Sequence, residues 1–469
     1  MHLWYGVLLY GAGKICIRFS MTTSKRKTES EVFMAKHIVV IGAGPAGMEA
    51  ARSAARHGAR VTLIGTEEPG GRATWHSLLP SKKWLMRAQT QTAARDTDFS
   101  TLLQDIRQAK KSWAAHNVRE LGQLGVRILT GRAKYMHAGR IDVFNEKHEK
   151  LEELCPDASI ISSGSVPVFP DPLKPDGRRV IAPRFMSSLN KLPASMAVVG
   201  GGVSGTEFAY LFASLGVRVD WFIDSFGLLP GFDTEISSML KTSLESKGIT
   251  LHEPVSVKNI IRREDRVIIQ TDRETELTSE MAFVAIGRTA DVNHLGLSVL
   301  EKTPSGVVTL KTDAYGRTQF ESIYAVGDVV SPQKSANRAM AQAYIAGAHA
   351  AGAQTVPFDD NKIIAAVYTD PALAQVGTLK GRDIRTWLLP YSHAVMSHIC
   401  NSEGWVKIAL NGQGDLCGAA ALGPEAAEVI TPAILIMQGA MSPESCKALF
   451  PANPTYGEIF FEALRHIPV

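Results

Sequence analysis

Two stretches of this chain carry glycines at the spacing that lets a backbone approach a phosphate. Gly42-Ala43-Gly44-Pro45-Ala46-Gly47 follows the apolar run Ile38 to Ile41 and leads into Met48 to Ala55. In such a strand–turn–helix unit Gly42 permits the tight turn and Gly44 lets a pyrophosphate approach. Gly47 lets the helix pack on the strand, and the helix N-terminus attracts the phosphate charge. The unit recurs: Met196 to Val199, then Gly200-Gly201-Gly202-Val203-Ser204-Gly205, then a helix expected over Thr206 to Leu215. One such glycine fingerprint alone is weak evidence, but each sits between a strand and a helix. The pair implies two dinucleotides, one held and one exchanged.

The elements that follow should place an acid on each adenosine ribose. The second strand of the first unit is expected over Arg60 to Ile64, which puts Gly65 where the acid belongs. Glycine cannot do that work. Glu67 or Glu68 could substitute, and a solvated acidic turn is the alternative reading. The second unit's strand, expected over Arg218 to Ile223, ends at Asp224. No Arg or Lys stands between Asp224 and Asp233 to hold a 2′-phosphate. NAD(H) is therefore expected there, with NADP(H) left open.

The whole chain bounds the rest. Its 469 residues suggest two to four domains. Apolar residues make up 45% and charged residues 20%, as in ordinary globular proteins. The 50 basic and 46 acidic residues give a formal charge of +4, which offers no electrostatic case for nucleic acid. The apolar run Leu3 to Tyr10 is too short to span a bilayer and lacks the flanks of a secretory signal. Five cysteines, Cys16, Cys155, Cys400, Cys417 and Cys446, include no C-x-x-C pair. Neither a disulfide framework nor a metal site is expected, and a reducing cytoplasm is. Residues 1–33 look foreign: Ser20 to Glu31 is polar and charged without hydrophobic period, and a fold-like pattern begins at Met34. The segment reads as a disordered or misassigned extension, with an organelle transit peptide as the alternative.

Further motifs extend the pattern. Thr318 to Asp328, ending Tyr324-Ala325-Val326-Gly327-Asp328, resembles a second flavin motif. Ser162-Ser163-Gly164-Ser165 and Ala285-Ile286-Gly287-Arg288 are similar to short crossings between two nucleotide domains. Tyr368-Thr369-Asp370-Pro371, Gly423 to Glu428, the apolar helix around Ala433 to Met437, and Asn453 to Glu458 continue the likeness. From about Lys36 to Ala463 the chain resembles the pyridine nucleotide–disulfide oxidoreductase family. The resemblance implies an α/β fold with two Rossmann-like nucleotide-binding domains, for FAD and NAD(P), and a C-terminal α+β dimerisation domain. It divides the chain into FAD-binding residues 34–160 and 286–355, NAD(P)-binding residues 161–285 and dimerisation residues 356–469. It also implies a homodimer.

By the same resemblance, FAD is held by Gly42, Gly44, Gly47, Gly70, Gly71, Lys82, Gly164 and Asp328, whose carboxylate takes the ribityl chain. NAD is held by Gly200, Gly202, Gly205, Asp224 and Gly287. Lys82 of Pro80-Ser81-Lys82 is expected beside the flavin N5, paired with Glu207. A cation there would stabilise reduced flavin.

Against this background a gap stands out. The family's redox loop reads G-G-T-C-x-x-x-x-C-x-P-S-K, and here its cysteines fall on Ala73 and Leu78. Neither side chain has a nucleophile or a redox couple. The family's C-terminal histidine base is replaced by Asn453, which cannot exchange protons near neutral pH. Glu458 is expected to have lost its client and to cap or pair structurally. His76 would lie near the flavin face opposite NAD and could protonate a two-electron acceptor, with local space-filling as the alternative. Trp75 could stack on an aromatic acceptor or simply pack.

Both losses remove thiol chemistry and spare the nucleotide sites. The expected function is an FAD-dependent NAD(P)H oxidoreductase without a redox-active disulfide. Hydride passes to flavin and electrons then go to a quinone, a second pyridine nucleotide, oxygen or a protein. The competing readings are an electron-transfer subunit of a larger redox complex, working with a redox protein partner, and an FAD- and NAD-binding pseudoenzyme.

Overall fold

The run His37-Ile38-Val39-Val40-Ile41 is apolar on both faces of an extended chain, which suits a strand covered on both sides. In the computed structural model it is buried at every position and lies at the centre of a parallel sheet. The structure describes residues 35–90, 99–189, 191–296, 301–302 and 308–467. The expectation for residues 1–33 therefore falls outside the described residues.

The first sheet runs in the order Ile323–Ala325, Ala158–Ile161, His37–Ile41, Arg60–Gly65, Arg127–Thr130, with every pairing parallel. The helix Pro45–Arg56 covers it and packs against the helix Ala336–Ala350. Small residues make this approach possible: a Cβ on Gly347 would lie 2.5 Å from the Ala50 carbonyl oxygen. The two strands meeting in this sheet from residues 158–161 and 323–325 show how a chain segment far along the sequence completes the first nucleotide domain.

The second parallel sheet has the order Thr250–His252, Arg218–Phe222, Ser195–Val199, Met281–Val284, Val180–Ile181. The helix Val203–Ser214 seals it with Phe208, stacked on Phe283 at 4.2 Å between centroids. This helix starts earlier than Thr206, because the extended Gly202 delivers the chain directly into its first turn. Between the sheets the two crossings pair as an antiparallel ribbon, Ser165–Pro167 against Arg288–Ala290.

The C-terminal part is an antiparallel sheet in the order Ala365–Val367, Ala372–Gly377, Leu416–Gly423, Trp405–Leu410, Arg385–Pro390. The helix Glu458–Arg465 lays Ile459, Phe460, Ala463 and Leu464 on it. The short helix Thr431–Met437 buries Ala433 and Ile436 and leaves Leu435 exposed. This sheet is tied to the unit built on the second parallel sheet by a buried ammonium. Lys407 Nζ lies 3.1 and 3.0 Å from the Asp233 carboxylate oxygens and 2.9 Å from Glu235. Asp233 in turn caps the helix Thr234–Ser246, its Oδ1 accepting from the Ile236 N–H at 3.2 Å. Burial alone would lower the Lys407 ammonium, but hydrogen bonds to Glu235 and Asp233 outweigh it and hold it above its ordinary value. The α/β architecture matches the expected fold class.

Candidate active site

Steric limits explain the first fingerprint. Gly42 has φ of +111°, and a Cβ there would sit 2.3 Å from the Ser162 carbonyl oxygen. A Cβ on Gly47 would lie 1.7 Å from the Gly42 oxygen. Gly44 differs: a Cβ there meets nothing within 4 Å, so its face is open. It precedes the helix Pro45–Arg56, whose N-terminus has no side-chain cap. Uncapped N–H groups facing open space are what a phosphate requires.

The loop after the second strand closes onto this turn. Gly70 N–H donates to the Ala43 oxygen at 2.8 Å, and a Cβ on Gly71 would lie 2.7 Å from Gly44 Cα. Gly65 is glycine for packing: a Cβ there would be 2.7 Å from Ala43 Cβ. The second fingerprint repeats the logic, with a Gly205 Cβ 1.9 Å from the Gly200 oxygen and open space at Gly202. Asp224 lies two residues beyond its strand, which ends at Phe222, one residue before the expected Ile223, and its Oδ1 accepts the Phe226 N–H at 3.1 Å.

Lys82, on the helix Leu78–Thr90, reaches across to the helix of the second nucleotide domain. Its Nζ donates to Glu207 Oε1 at 2.7 Å and Oε2 at 2.6 Å. Glu207 is 3% exposed and its Oε1 also accepts the Tyr368 N–H at 3.0 Å. The Lys82 ammonium lies 4.5 Å from the Tyr368 ring centroid. Burial, with the carboxylates of Glu428 and Glu207, holds the Tyr368 phenol above its ordinary value. Three separate parts of the chain thus converge on one ammonium.

Around the crossing ribbon stands a second polar cluster. Ser165 Oγ donates to the Asp328 carboxylate, and Arg288 Nε donates to Ser165 Oγ at 2.7 Å. Arg288 Nη2 donates to the Ser165 carbonyl at 2.7 Å. Lys334 Nζ donates to the Asp328 carbonyl at 2.6 Å and to that of Ser331. Burial pushes both cations below their ordinary values. Arg72, beside Gly71, pairs with Asp291 at 2.5 Å and leans 3.4 Å from the carbonyls of Ser163 and Ser165. Burial would raise the Asp291 carboxyl, but hydrogen bonds from His294 and Arg72 outweigh it and hold it low. Asp291 N–H bonds the Gly164 carbonyl at 3.0 Å, and Val168 N–H bonds that of Gly287 at 3.0 Å. Buried Ser331 Oγ has no hydrogen-bond partner, and neither has Arg338 Nε, although the rest of that guanidinium is held by Asp360 and Gln333. These orphan atoms, the open glycine faces and the two cations suit a large anionic cofactor, so the residues fit FAD.

Other candidate residues stand apart. His76 is exposed, and its Nε2 meets Glu67 Oε1 at 3.2 Å on the loop after the second strand. That contact engages both the candidate acceptor base and one candidate ribose acid. Trp75 Nε1 donates to the Glu68 carbonyl at 3.1 Å. Glu458 has found a partner: it accepts from the Asn453 side-chain amide and from the Thr455 N–H at 2.7 Å. The described cysteines, Cys155, Cys400, Cys417 and Cys446, are free thiols. Among the described residues no group of three or more His, Cys, Asp or Glu is gathered as a metal site, and no helix is long and apolar enough to cross a membrane. Sequence reasoning missed Tyr368, Arg72, Asp291 and Lys334 as members of these clusters. A lysine soon after Asp328 and an arginine directly after Gly71 were the signals present.

Residues 36–352 match the pyridine nucleotide-disulphide oxidoreductase family and residues 363–464 its dimerisation domain. The dihydrolipoyl dehydrogenase of Chlorobaculum parvum is 30% identical over 452 residues, covering 91% of this chain and 96% of its own length. Dihydrolipoyl dehydrogenase 2 of Haloarcula marismortui is 27% identical, covering 92% of this chain and 97% of its own. The crystal structure of LpdA from Mycobacterium tuberculosis superposes with a TM-score of 0.87 at 25% identity, over 93% of this chain and 100% of that one. The chain belongs to the pyridine nucleotide-disulphide oxidoreductase family, whose cofactors are FAD and NAD(H).

Proposed function

We propose that this protein is an FAD-dependent NAD(P)H oxidoreductase whose electrons leave to an acceptor other than a disulfide. The carrying observation is the intact Lys82–Glu207 pair at the end of a segment, Gly70 to Lys82, that contains no cysteine. Relatives named dihydrolipoyl dehydrogenase share the fold, but exchange with a disulfide needs a thiolate. Ala73 and Leu78 supply none, and the Asn453 amide is committed to Glu458 and cannot serve as a base.

Bound FAD supplies the two-electron relay between nicotinamide and acceptor. Gly42, Gly44, Gly47, Gly70 and Gly71 would form its phosphate cradle, with Gly164 on the crossing beside it, and Asp328 would hold its ribityl chain. Gly200, Gly202 and Gly205 take the NADH phosphates, Asp224 the adenosine ribose, and Gly287 lies at the second crossing. Glu207 fixes Lys82 so that the ammonium is oriented before substrate arrives, which is the preorganisation that positioning requires. For a quinone or oxygen, NADH, a proton and the acceptor become NAD+ and the acceptor carrying two more electrons and two more protons; a second pyridine nucleotide takes up two electrons and one proton, with no net proton from solvent. The nicotinamide hydride provides both electrons and one proton equivalent in every case, and solvent provides the second proton to a quinone or oxygen. We read residues 34–160 and 286–355 as the FAD domain, 161–285 as the NAD(P) domain and 356–469 as the interface of a cytoplasmic homodimer.

Anaerobic reduction followed by a panel of acceptors tests this. NADH should bleach the bound flavin, and a quinone, a second pyridine nucleotide or oxygen should restore it. Lipoamide and glutathione disulfide should not. Rapid reoxidation by either disulfide would overturn the proposal.

A further inference from the structure

Lys82 is the cation that the resemblance places beside the flavin, yet its charge is already offset. Glu207 meets it with both carboxylate oxygens at 2.6 and 2.7 Å. The other side of the site is charged differently. Arg72 is matched by Asp291. Arg288 and Lys334 share the single carboxylate of Asp328, and only indirectly. Arg288 reaches Ser165, which in turn donates to Asp328, while Lys334 bonds two backbone carbonyls. Among the described residues neither cation has a carboxylate oxygen at ion-pair distance. The cluster therefore carries one positive charge more than it can balance. A partly buried cation held by neutral oxygens alone is costly, and the cost falls when an anion arrives.

We infer that Lys334, together with Arg288, keeps an uncompensated positive charge for the negative charge that FAD gains on reduction, and so raises the flavin's reduction potential. This rests on the reading of Asp328 as an FAD ligand. The anion could instead be the FAD pyrophosphate, which is charged in both redox states. The two differ in their consequence. A pyrophosphate partner changes how tightly FAD binds and leaves the potential alone. A partner for the reduced ring moves the potential.

The test compares wild-type holoenzyme with Lys334→Met, Lys334→Gln and Lys334→Arg. The midpoint potential is read against reference dyes, and FAD affinity by titration of the stripped protein. Lys334→Met should keep FAD affinity within about threefold. It should favour oxidised over reduced flavin by on the order of tenfold, about 30 mV for a two-electron couple. Lys334→Arg should restore the potential. Lys334→Gln gives the same reading if the methionine variant fails to fold. An unmoved potential in the neutral variants overturns the inference. So does a tenfold loss of FAD affinity with the potential unmoved, which would assign Lys334 to the pyrophosphate. A wild-type protein that takes up FAD but resists NADH would defeat the functional reading alone, since the potential can still be measured with dyes.

Discussion

Glu207 meets the Lys82 ammonium with both carboxylate oxygens while its Oε1 also takes the backbone N–H of Tyr368. A carboxylate this buried cannot lose its cation cheaply. Breaking a buried pair by removing one partner costs roughly 3–5 kcal/mol, and the partial exposure of Lys82 puts this case at the lower end. Lys82→Met should lower the thermal midpoint and slow anaerobic flavin reduction by NADH by on the order of tenfold. Glu207→Gln, which keeps a hydrogen-bond acceptor, should be milder in both. Stopped-flow reduction and thermal unfolding check this together. Wild-type behaviour in Lys82→Met would remove the pair from the active site.

The two glycines flanking Pro45-Ala46 should respond in opposite ways. Gly47→Ala puts a methyl 1.7 Å from a backbone oxygen and is expected to abolish folding or leave protein without flavin. Gly44→Ala puts its methyl into open space. That variant should fold with a normal circular dichroism spectrum but bind FAD at least about tenfold more weakly, because the methyl occupies the phosphate's approach. Equal behaviour of the two variants would contradict this assignment.

Asp291 makes stability depend on acid. Its folded-state value is held below that of the unfolded carboxyl, so its contribution is complete above the unfolded value, about 3.9, and is lost as pH falls below it. Wild type should therefore keep its advantage over Asp291→Asn from about pH 7 to about pH 5 and lose it progressively as pH falls below about 4. Arg72 is half-exposed, so the effect should shrink in high salt. Thermal midpoints of both proteins across pH decide it; a difference that does not change with pH would show that Asp291 stabilises nothing through its charge.

Asn453→His reintroduces an imidazole beside Glu458 but no sulfur in the loop after Gly71. Dihydrolipoamide-dependent NAD reduction should stay at background in this variant, alone or with Ala73→Cys. A measurable rate in the single variant would mean that thiol chemistry runs by a route independent of Ala73 and Leu78.

Much of this arrangement was legible in advance because strand and phosphate-turn chemistry are local. The buried run at His37 to Ile41 and the glycines at 42, 44 and 47 announce themselves through period and spacing. Gly65 was visible as a departure, but its reason, contact with Ala43, is tertiary. The pairing of His76 with Glu67 likewise depends on how two loops fold back on each other. Tyr368 joins the Lys82 cluster through a backbone N–H, a contribution that side-chain identity cannot advertise. Arg72 and Lys334 carried no assignment in the sequence because their partners, Asp291 and the carbonyls of Asp328 and Ser331, come together only when the crossing ribbon forms.

The ammonium of Lys407, gripped by Asp233 and Glu235, acts as a rivet between the second parallel-sheet unit and the C-terminal sheet. A rivet at the root of the helix Thr234–Ser246 denies that unit a free hinge. In a dimer built on the C-terminal sheets, the same rivet would turn two nucleotide sites into fixed mounting points, their separation set by the interface and indifferent to which of them is loaded.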